Sequence, residues 1–255
     1  MEIGISKEDL DDQILSREED ALRDFEEAAA NPRVFGMLCV NLETLLNLHA
    51  WANSNTTRVS NTIENWLRGY PALLKDHDER DPSDPRDPGD RSSVSSCTTL
   101  RVVSAAWVIG ANDVVSALAP AIWDPAGAIY VNPKSESCRP DQQQFAYSVR
   151  EYVTGSTDKA LELCRAVKPL DSEVAAWTTI FNGILNDTGA RIPGALQVML
   201  TAHEREARRK KYPFTVEYGV CLVALGLVAV ALRKGLVRLD QLPESQFLPY
   251  QWIQL

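Results

Sequence analysis

Apolar residues recur every three or four positions along most of this chain of 255 residues, and this spacing limits the possible folds more than any other feature. It places the apolar side chains on one face of an α-helix. No segment alternates between apolar and polar residues as a half-buried strand does, except a short stretch at 127–131 that equally suits a loop. We therefore expect an all-α fold, a mainly antiparallel helical bundle. About ten helices are predicted, at 6–30, 34–53, 57–74, 100–109, 113–122, 142–154, 158–167, 171–186, 193–211 and 214–233.

Two of the predicted helix ends share a local pattern. Gly110 and Gly155 each follow a helix, and an aspartate three positions later, Asp113 or Asp158, begins the next helix. Glycine adopts a positive φ at little cost and so ends a helix, while an acidic side chain stabilises the start of the following one. The two patterns predict αα-hairpin quasi-repeats within the bundle.

An acidic, proline-rich segment interrupts the helical pattern. It repeats the dipeptide Asp-Pro three times within a short stretch, and proline at this spacing favours an extended backbone. We expect an N-terminal helical arm at 1–75, an acidic linker or loop at 76–96 and a main helical body at 97–255. A single continuous domain is the alternative.

Acidic side chains outnumber basic ones. Thirty-five Asp and Glu residues against 26 Lys and Arg residues give a formal net charge of −9. Nucleic-acid phosphates require a basic surface, so we expect no nucleic-acid ligand. Opposite charge accelerates protein–protein encounter, and the composition is therefore compatible with a basic protein partner.

The cysteines and the apolar runs indicate the compartment. The five cysteines are widely spaced, and no two have the C-x-x-C spacing of zinc or redox sites, so reduced thiols in a reducing compartment fit best. The N-terminus lacks the basic start and apolar segment of a signal peptide. The longest apolar run, 220–232, is thirteen residues, whereas a membrane span needs about 20. We expect a cytoplasmic protein without membrane association, and a buried last helix.

The sequence shows no motif that carries catalysis or metal binding. His203-Glu204 begins like a zinc-protease helix, but Ala207 stands where a second histidine is required. The acid-rich run 76–79 is the most metal-like cluster, but it falls in the predicted linker and so lacks rigid support. No glycine-rich phosphate loop and no G-x-S-x-G nucleophile motif occur. We expect no catalytic residues, no metal site and no cofactor, and hence a protein that is not an enzyme.

Short segments of the C-terminal half carry a family resemblance. They are a hydrophobic helix, a glycine turn and an acid-Ser-x-aromatic-Leu-Pro exit, at 218–232, 234–237 and 242–249. With the helix ends at Gly110 and Gly155, they resemble immunity-protein family forty-nine of bacterial polymorphic-toxin systems, over roughly residues 97–250. The resemblance implies an all-helical, non-enzymatic protein that binds and neutralises a cognate toxin, and it assigns no catalytic residues.

The first helix provides the candidate surface for such a partner. Asp20, Asp24 and Glu27 lie one helical turn apart, so they form a negative stripe. Beside it runs an intermittent apolar stripe made of Leu10, Ile14, Leu22 and Phe25. We expect the acidic side chains to bind a basic toxin domain and to block its active or substrate-binding surface. The leading contact candidates are Glu18, Glu19, Asp20, Asp24 and Glu27.

Two other classes of function stay open at this point. A helical-repeat adaptor or regulatory protein would use a concave groove. A magnesium-dependent helical enzyme would need two carboxylate clusters that face one cavity, and only the run 76–79 resembles one.

Overall fold

A computed structural model describes residues 6–30, 34–79, 95–122, 139–207 and 219–255. Over these ranges the chain forms ten α-helices and no strand, so the prediction of an all-α fold is confirmed. The helices are α1 (Lys7–Ala30), α2 (Val34–Ala52), α3 (Thr56–Glu79), α4 (Ser96–Val108), α5 (Asn112–Leu118), α6 (Pro140–Val153), α7 (Thr157–Ala166), α8 (Ser172–Leu185), α9 (Ile192–Ala207) and α10 (Leu222–Arg233).

Most helices pack against a neighbour in sequence, while α10 lies at the centre of the body. α1 packs on α2, α2 on α3, α6 on α7 and α8 on α9. α10 contacts α4 and α8, which come from distant parts of the chain, and every residue from 222 to 229 is buried. A helix that is apolar all round must be enclosed on all sides. The expectation that the last helix is buried is therefore confirmed.

The two glycine turns form as the sequence predicts. Gly110 has φ of 75° and Gly155 has φ of 94°, the left-handed region that glycine adopts without strain. In each turn the residue after the glycine donates its N–H to a carbonyl five residues earlier, at 2.9 Å in the first turn and 2.7 Å in the second. This bond satisfies a carbonyl that would otherwise be left unpaired at the helix end. Both predicted helix ends are confirmed.

One hydrophobic cluster runs through both parts of the chain. It contains residues of α2 and α3, such as Leu42 and Trp66, together with residues of α4 and of every later helix. The hydroxyl of Tyr70 on α3 lies 2.9 Å from the hydroxyl of Thr99 on α4, in a buried contact. The regions 1–75 and 97–255 thus share a core, while residues 80–94 of the segment between them lie outside the described residues.

The C-terminal residues connect α3 to α4. The Thr56 hydroxyl donates to the carbonyl of Gln251 at 2.9 Å, and the side-chain amide of Gln254 donates to the Ser60 hydroxyl at 2.9 Å. The backbone N–H of Gln254 donates to the carbonyl of Val108 at 2.9 Å. The last residues therefore hold the N-terminal helices against the body.

Several helix boundaries differ from the predicted ones: α4 begins at Ser96 and not at 100, and α5 ends at Leu118 and not at 122. α3 continues past Pro71 to Glu79, because good helix formers follow the proline and Leu73 among them is buried. The acid-rich run 76–79 therefore belongs to the last turn of α3 and not to a linker. α6 begins at Pro140 because proline suits the first helical position, and α10 begins at Leu222. The short stretch 127–131 lies outside the described residues.

The cysteines differ from the expectation at one position. Cys97 is disulfide-bonded, whereas Cys164 and Cys221 are free, buried thiols. The bond at Cys97 does not fit the expectation of reduced thiols. Among the described helices, none combines the length and the apolar content of a membrane span.

Candidate functional site

The outer face of α1 combines acidic side chains with two exposed leucines. α1 carries ten acids and three bases and packs mainly on α2, at the edge of the molecule. Leu15 is 52% exposed and Leu22 is 58% exposed. These residues are seven apart and therefore lie on one face of the helix. The exposed acids on the same face are Asp12, Glu19 and Glu26.

The predicted apolar stripe of α1 is only partly buried. Leu10 and Ile14 are buried and Phe25 is half-buried, as expected for a packing face. The fourth member, Leu22, is exposed instead, and its neighbour Ala21 occupies the buried position. Consecutive helical residues are turned by about 100°, so Ala21 and Leu22 cannot both face α2. Leu22 therefore belongs to the exposed face.

Glu18, one of the predicted contact residues, is engaged within the molecule. Its carboxylate accepts two hydrogen bonds from the guanidinium of Arg58 on α3, and this pairing raises the pKa of Arg58. His49 Nε2 lies 3.7 Å from the same carboxylate. Glu18 thus joins α1 to α3 and is only partly available to a partner.

The other four predicted contact residues lie in three different environments. Asp24 accepts a hydrogen bond from the side-chain amide of Asn41 at 3.2 Å and is half-buried against α2. Asp20 lies 2.7 Å from the guanidinium of Arg23, and both side chains are well exposed. Glu19 and Glu27 are exposed. The structure therefore turns Glu19 and Glu27 to the outside and uses Asp24 partly for helix packing.

A surface groove lies beside this face, between α1 and α3. Its volume is about 460 Å³, and the buried side chains of Leu42 and Leu45 on α2 lie at its base. Leu22 lines one side, and the polar residues of α3 line the other. An apolar base with a polar rim is the usual anatomy of a protein–protein contact region.

A second candidate site is a polar cavity inside the helical body, which we call the interior cavity. It has a volume of about 200 Å³ and lies where α2, α4, α6, α8 and α9 meet the start of α10. Its charged and polar lining consists of Glu43, Arg101, Arg139, Gln142, Asp171, Glu173 and His203, and its apolar lining of Trp177, Val220, Leu222 and Val223.

Most charges of the interior cavity are paired. Arg101 Nη1 lies 3.2 Å from Glu43 Oε1, and Arg139 Nη1 lies 2.6 Å from Asp171 Oδ2. Burial raises the pKa of Glu43. Burial alone would raise the pKa of Asp171, but hydrogen bonds from Arg139 and from the first turn of α8 outweigh it and lower that pKa. Two ion pairs thus balance four of the five charged side chains.

Glu173 is the remaining charge. No group of the described residues donates a hydrogen bond to its carboxylate, and burial, with the nearby charge of Asp171, raises its pKa to about 7 although the charges of Arg101 and Arg139 oppose the shift. One turn further along α8, the buried indole nitrogen of Trp177 also has no hydrogen-bond partner among the described residues. The α8 wall of the cavity therefore presents one unpaired acceptor and carries one unpaired donor.

The sequence did not indicate the interior cavity. Its charged residues come from separate helices, and each one alone looks like an ordinary surface charge. The one local signal was the start of α8, where Asp171 accepts hydrogen bonds from the N–H groups of Glu173 and Val174 as a helix cap. His203, considered only for a failed zinc motif, places Nε2 3.1 Å from the carbonyl oxygen of Gly219.

The described residues contain no group of three or more His, Cys, Asp or Glu side chains placed to hold a metal ion. Comparison with models of known protein families gives no match, and comparisons with curated proteins and with solved structures give no significant one.

Proposed function

We propose that this chain is an immunity protein that binds a basic toxin domain and blocks its active or substrate-binding surface. The observation that carries the proposal is the outer face of α1, where Leu15 and Leu22 are exposed among Asp12, Glu19 and Glu26. Protein partners supply apolar pockets for such leucines, which have no other cover among the described residues. The resemblance of the C-terminal half to immunity-protein family forty-nine supports the same function.

Charge selects the kind of partner. α1 holds ten acids and three bases, so it contributes most of the net charge of −9. A concentrated negative face attracts a basic surface from a distance and repels nucleic acid. Toxin domains that act on nucleic acid need a basic substrate cleft. An acidic helix that covers such a cleft would prevent substrate from entering it.

The candidate residues have different roles in this proposal. Glu19 and Glu27 are exposed and can contact the toxin directly. Glu18 and Asp24 act mainly by fixing α1 on α3 and α2, through Arg58 and Asn41. Asp20 contributes charge to the surface while it contacts Arg23. The proposal requires no catalytic residue, metal or cofactor.

We also propose a cytoplasmic location, because an immunity protein must meet toxin that reaches the cell interior. The disulfide at Cys97 does not support this location, since the cytosol keeps most thiols reduced. The number of free thiols in the protein purified from cytoplasm therefore tests the proposed location, and this test does not depend on toxin binding.

The test is association with the toxin domain encoded by the neighbouring gene. A variant carrying Glu19→Lys and Glu26→Lys should associate at least about tenfold more slowly at low salt, and the difference should shrink as salt rises. A second variant, Leu22→Asp, should dissociate faster because an apolar anchor is lost. Surface plasmon resonance measures both rates, and a toxicity assay measures neutralisation.

A matched control places the same charge change elsewhere. Glu162→Lys with Glu244→Lys reverses two exposed acids away from α1 and should leave binding almost unchanged. Equal association rates for both double variants, with native circular dichroism, would exclude the α1 face as the contact surface. Binding without neutralisation of toxicity would instead favour an adaptor or regulatory protein.

A further inference from the structure

The interior cavity has the features of a ligand site and not those of a packing defect. Its volume of about 200 Å³ exceeds the space of several water molecules, each of which takes about 30 Å³ in the liquid. Packed protein interiors contain few voids larger than one water molecule. Seven of its eleven lining residues are charged or polar, and polar groups are costly to withdraw from water. A cavity of this size and polarity therefore needs a reason to persist.

The unpaired carboxylate of Glu173 shows what the cavity lacks. The pairs Arg101–Glu43 and Arg139–Asp171 leave Glu173 as the one lining acid that makes no ion-pair contact among the described residues, although the charges of Arg101 and Arg139 act on it from a longer distance. Glu173 is half-buried, and a carboxylate that is partly withdrawn from water is stabilised by a cation or by hydrogen-bond donors in direct contact with it. The carboxylate therefore lacks direct contact with a positive group that donates hydrogen bonds.

The wall beside Glu173 also suits a cation. Trp177 lies one helical turn away on α8 and lines the same cavity, and the indole ring is the most favourable aromatic partner for an ammonium or guanidinium group. The indole ring of Trp177 also packs against the ring of Phe145, and the two ring centroids are 5.6 Å apart. This contact holds the indole in place. A carboxylate and an indole together form a typical recognition pair for an organic cation.

The cavity is reachable from the surface. Arg101, Arg139 and Asp171 are each partly exposed at its rim. On the other side, Asp171, Glu173 and His203 also line an open depression of about 470 Å³ between α8 and α9. A small molecule could reach Glu173 without unfolding of the helices.

We propose that the interior cavity binds a small organic cation with a primary ammonium or guanidinium group, held by the carboxylate of Glu173 and the indole of Trp177. This site is separate from the α1 face, so the test of this proposal does not depend on toxin binding. The raised pKa of Glu173 agrees with it, because a carboxylate that lacks its cation holds its proton up to about pH 7.

The experiment is titration calorimetry of the full chain with n-butylammonium at about pH 8, with n-butanol as the neutral isostere. The proposal expects saturable binding of the amine at one site and no saturable binding of the alcohol. Glu173→Gln should lower the affinity by about ten- to a hundredfold, the usual loss when a charged hydrogen-bond partner is removed. Glu162→Gln, an exposed acid on α7, should bind as the wild type does.

The affinity should also rise from about pH 6 to pH 8, because a proton competes with the cation at Glu173. The charged and titratable groups around Glu173, on both sides of it, are Glu43, Arg101, Arg139, Asp171, His203, Arg205, Glu206 and Cys221. Of these, His203 has a usual pKa close to this range. The pH dependence must therefore disappear in Glu173→Gln if Glu173 is its source.

Glu173→Gln is expected to fold, because Gln resembles the protonated carboxyl that this half-buried site favours. Circular dichroism verifies this, and Glu173→Asp, which withdraws the carboxylate by one methylene, provides a second variant with intermediate affinity. The proposal would be overturned if the amine gave no saturable heat or if the amine and the alcohol bound equally well. It would also be overturned if Glu173→Gln bound the amine as tightly as the wild type does, or if the pH dependence survived in Glu173→Gln.

Discussion

The side-chain oxygen of Asn47 on α2 accepts a hydrogen bond from the backbone N–H of Val220, at 2.9 Å and across 173 positions of the chain. Asn47 is buried, and this bond holds the segment before α10 against the N-terminal helices. The preceding residue, Gly219, leaves the space that the amide occupies. A Cβ on Gly219 would lie 1.9 Å from Asn47 Oδ1, far inside van der Waals contact.

This relationship predicts a non-additive pair of substitutions. Asn47→Ala should lower the free energy of unfolding by about 1–3 kcal/mol, because it leaves the N–H of Val220 without its partner. Gly219→Ala should destabilise the wild type by at least as much through the clash. In the Asn47→Ala background the clashing atoms are absent, so the added cost of Gly219→Ala should be small. Urea unfolding of all four proteins measures the coupling, and strictly additive values would contradict it.

The contact between α4 and α10 predicts a large effect at one glycine. A Cβ on Gly226 would lie 2.7 Å from the backbone of Ser104, which cannot move as a flexible side chain can. Gly226→Ala should therefore destabilise the protein by about 1–3 kcal/mol or more. Gly194 on α9 is the matched control, since a Cβ there meets nothing within 4 Å. Gly194→Ala should stabilise the protein by about 0.5–1 kcal/mol, because alanine is the better helix former. Thermal unfolding measures the stability change of both variants. Changes of the same sign in the two variants would contradict the close contact at Gly226.

The sequence was sufficient to predict that the chain is helical and where the clearest turns lie. Helical spacing is a local property, and Gly110 and Gly155 have positive φ in turns whose hydrogen bonds are also local. Boundaries that depend on tertiary packing were less predictable. α3 continues beyond Pro71 because Leu73 finds a place in the core, and no local signal reveals that place.

The orientation of helix faces and the interior cavity could not be predicted. Leu22 fits an apolar stripe in sequence, but the packing of α1 on α2 buries Ala21 instead. A rotation of about 100° separates these neighbours, and only the position of α2 decides between them. Likewise, Glu43 and Glu173 are 130 positions apart and line one cavity only because α2 and α8 meet there. Such juxtapositions belong to the tertiary structure.

The disulfide at Cys97 predicts the number of reactive thiols. Cys164 and Cys221 are free and Cys97 is bonded to one of the two other cysteines, so the denatured, unreduced protein should react with three equivalents of a thiol reagent. After reduction it should react with five. Buried Cys164 and Cys221 should not react in the native state, since burial raises the pKa of both thiols. Titration before and after denaturation measures these counts, and five thiols without reduction would show that the bond is absent from the purified protein.

His49 predicts a loss of stability in mild acid. Its side chain is fully buried, and burial lowers its pKa from 6.5 to about 4, an effect that the charge of Glu18 only partly opposes. Between these values the unfolded chain binds the proton and the folded protein does not, so stability falls as the pH falls from about 6.5 towards 4. The loss is on the order of 3 kcal/mol.

The comparison that isolates this effect is His49→Gln. Glutamine can still hydrogen-bond to Ser54 or Thr62, which lie 3.0 and 3.3 Å from the two ring nitrogens, but it does not titrate. Its free energy of unfolding should be lower than that of the wild type at about pH 7.5 and should depend less on pH between about 5 and 6.5. Urea unfolding at several pH values measures the slopes. Parallel slopes for the two proteins would mean that His49 is not the proton-binding group.

Glu173 predicts a pH dependence of the opposite sign. Its pKa rises from 4.5 to about 7 in the folded protein, with burial as the main cause and the charge of Asp171 as the second. Between these values the folded protein binds the proton and the unfolded chain does not. Stability from this group is therefore complete below about pH 4.5 and is lost as the pH rises through 7.

Glu173→Gln keeps a neutral side chain at every pH, so its melting temperature relative to the wild type should increase from about pH 5 to pH 8. Asp158→Asn, an exposed acid on α7, should show no such increase. Differential scanning calorimetry without added amines measures the melting temperatures of both proteins. If the difference between Glu173→Gln and the wild type stays constant or shrinks with rising pH, the carboxylate of Glu173 is already compensated in the folded protein.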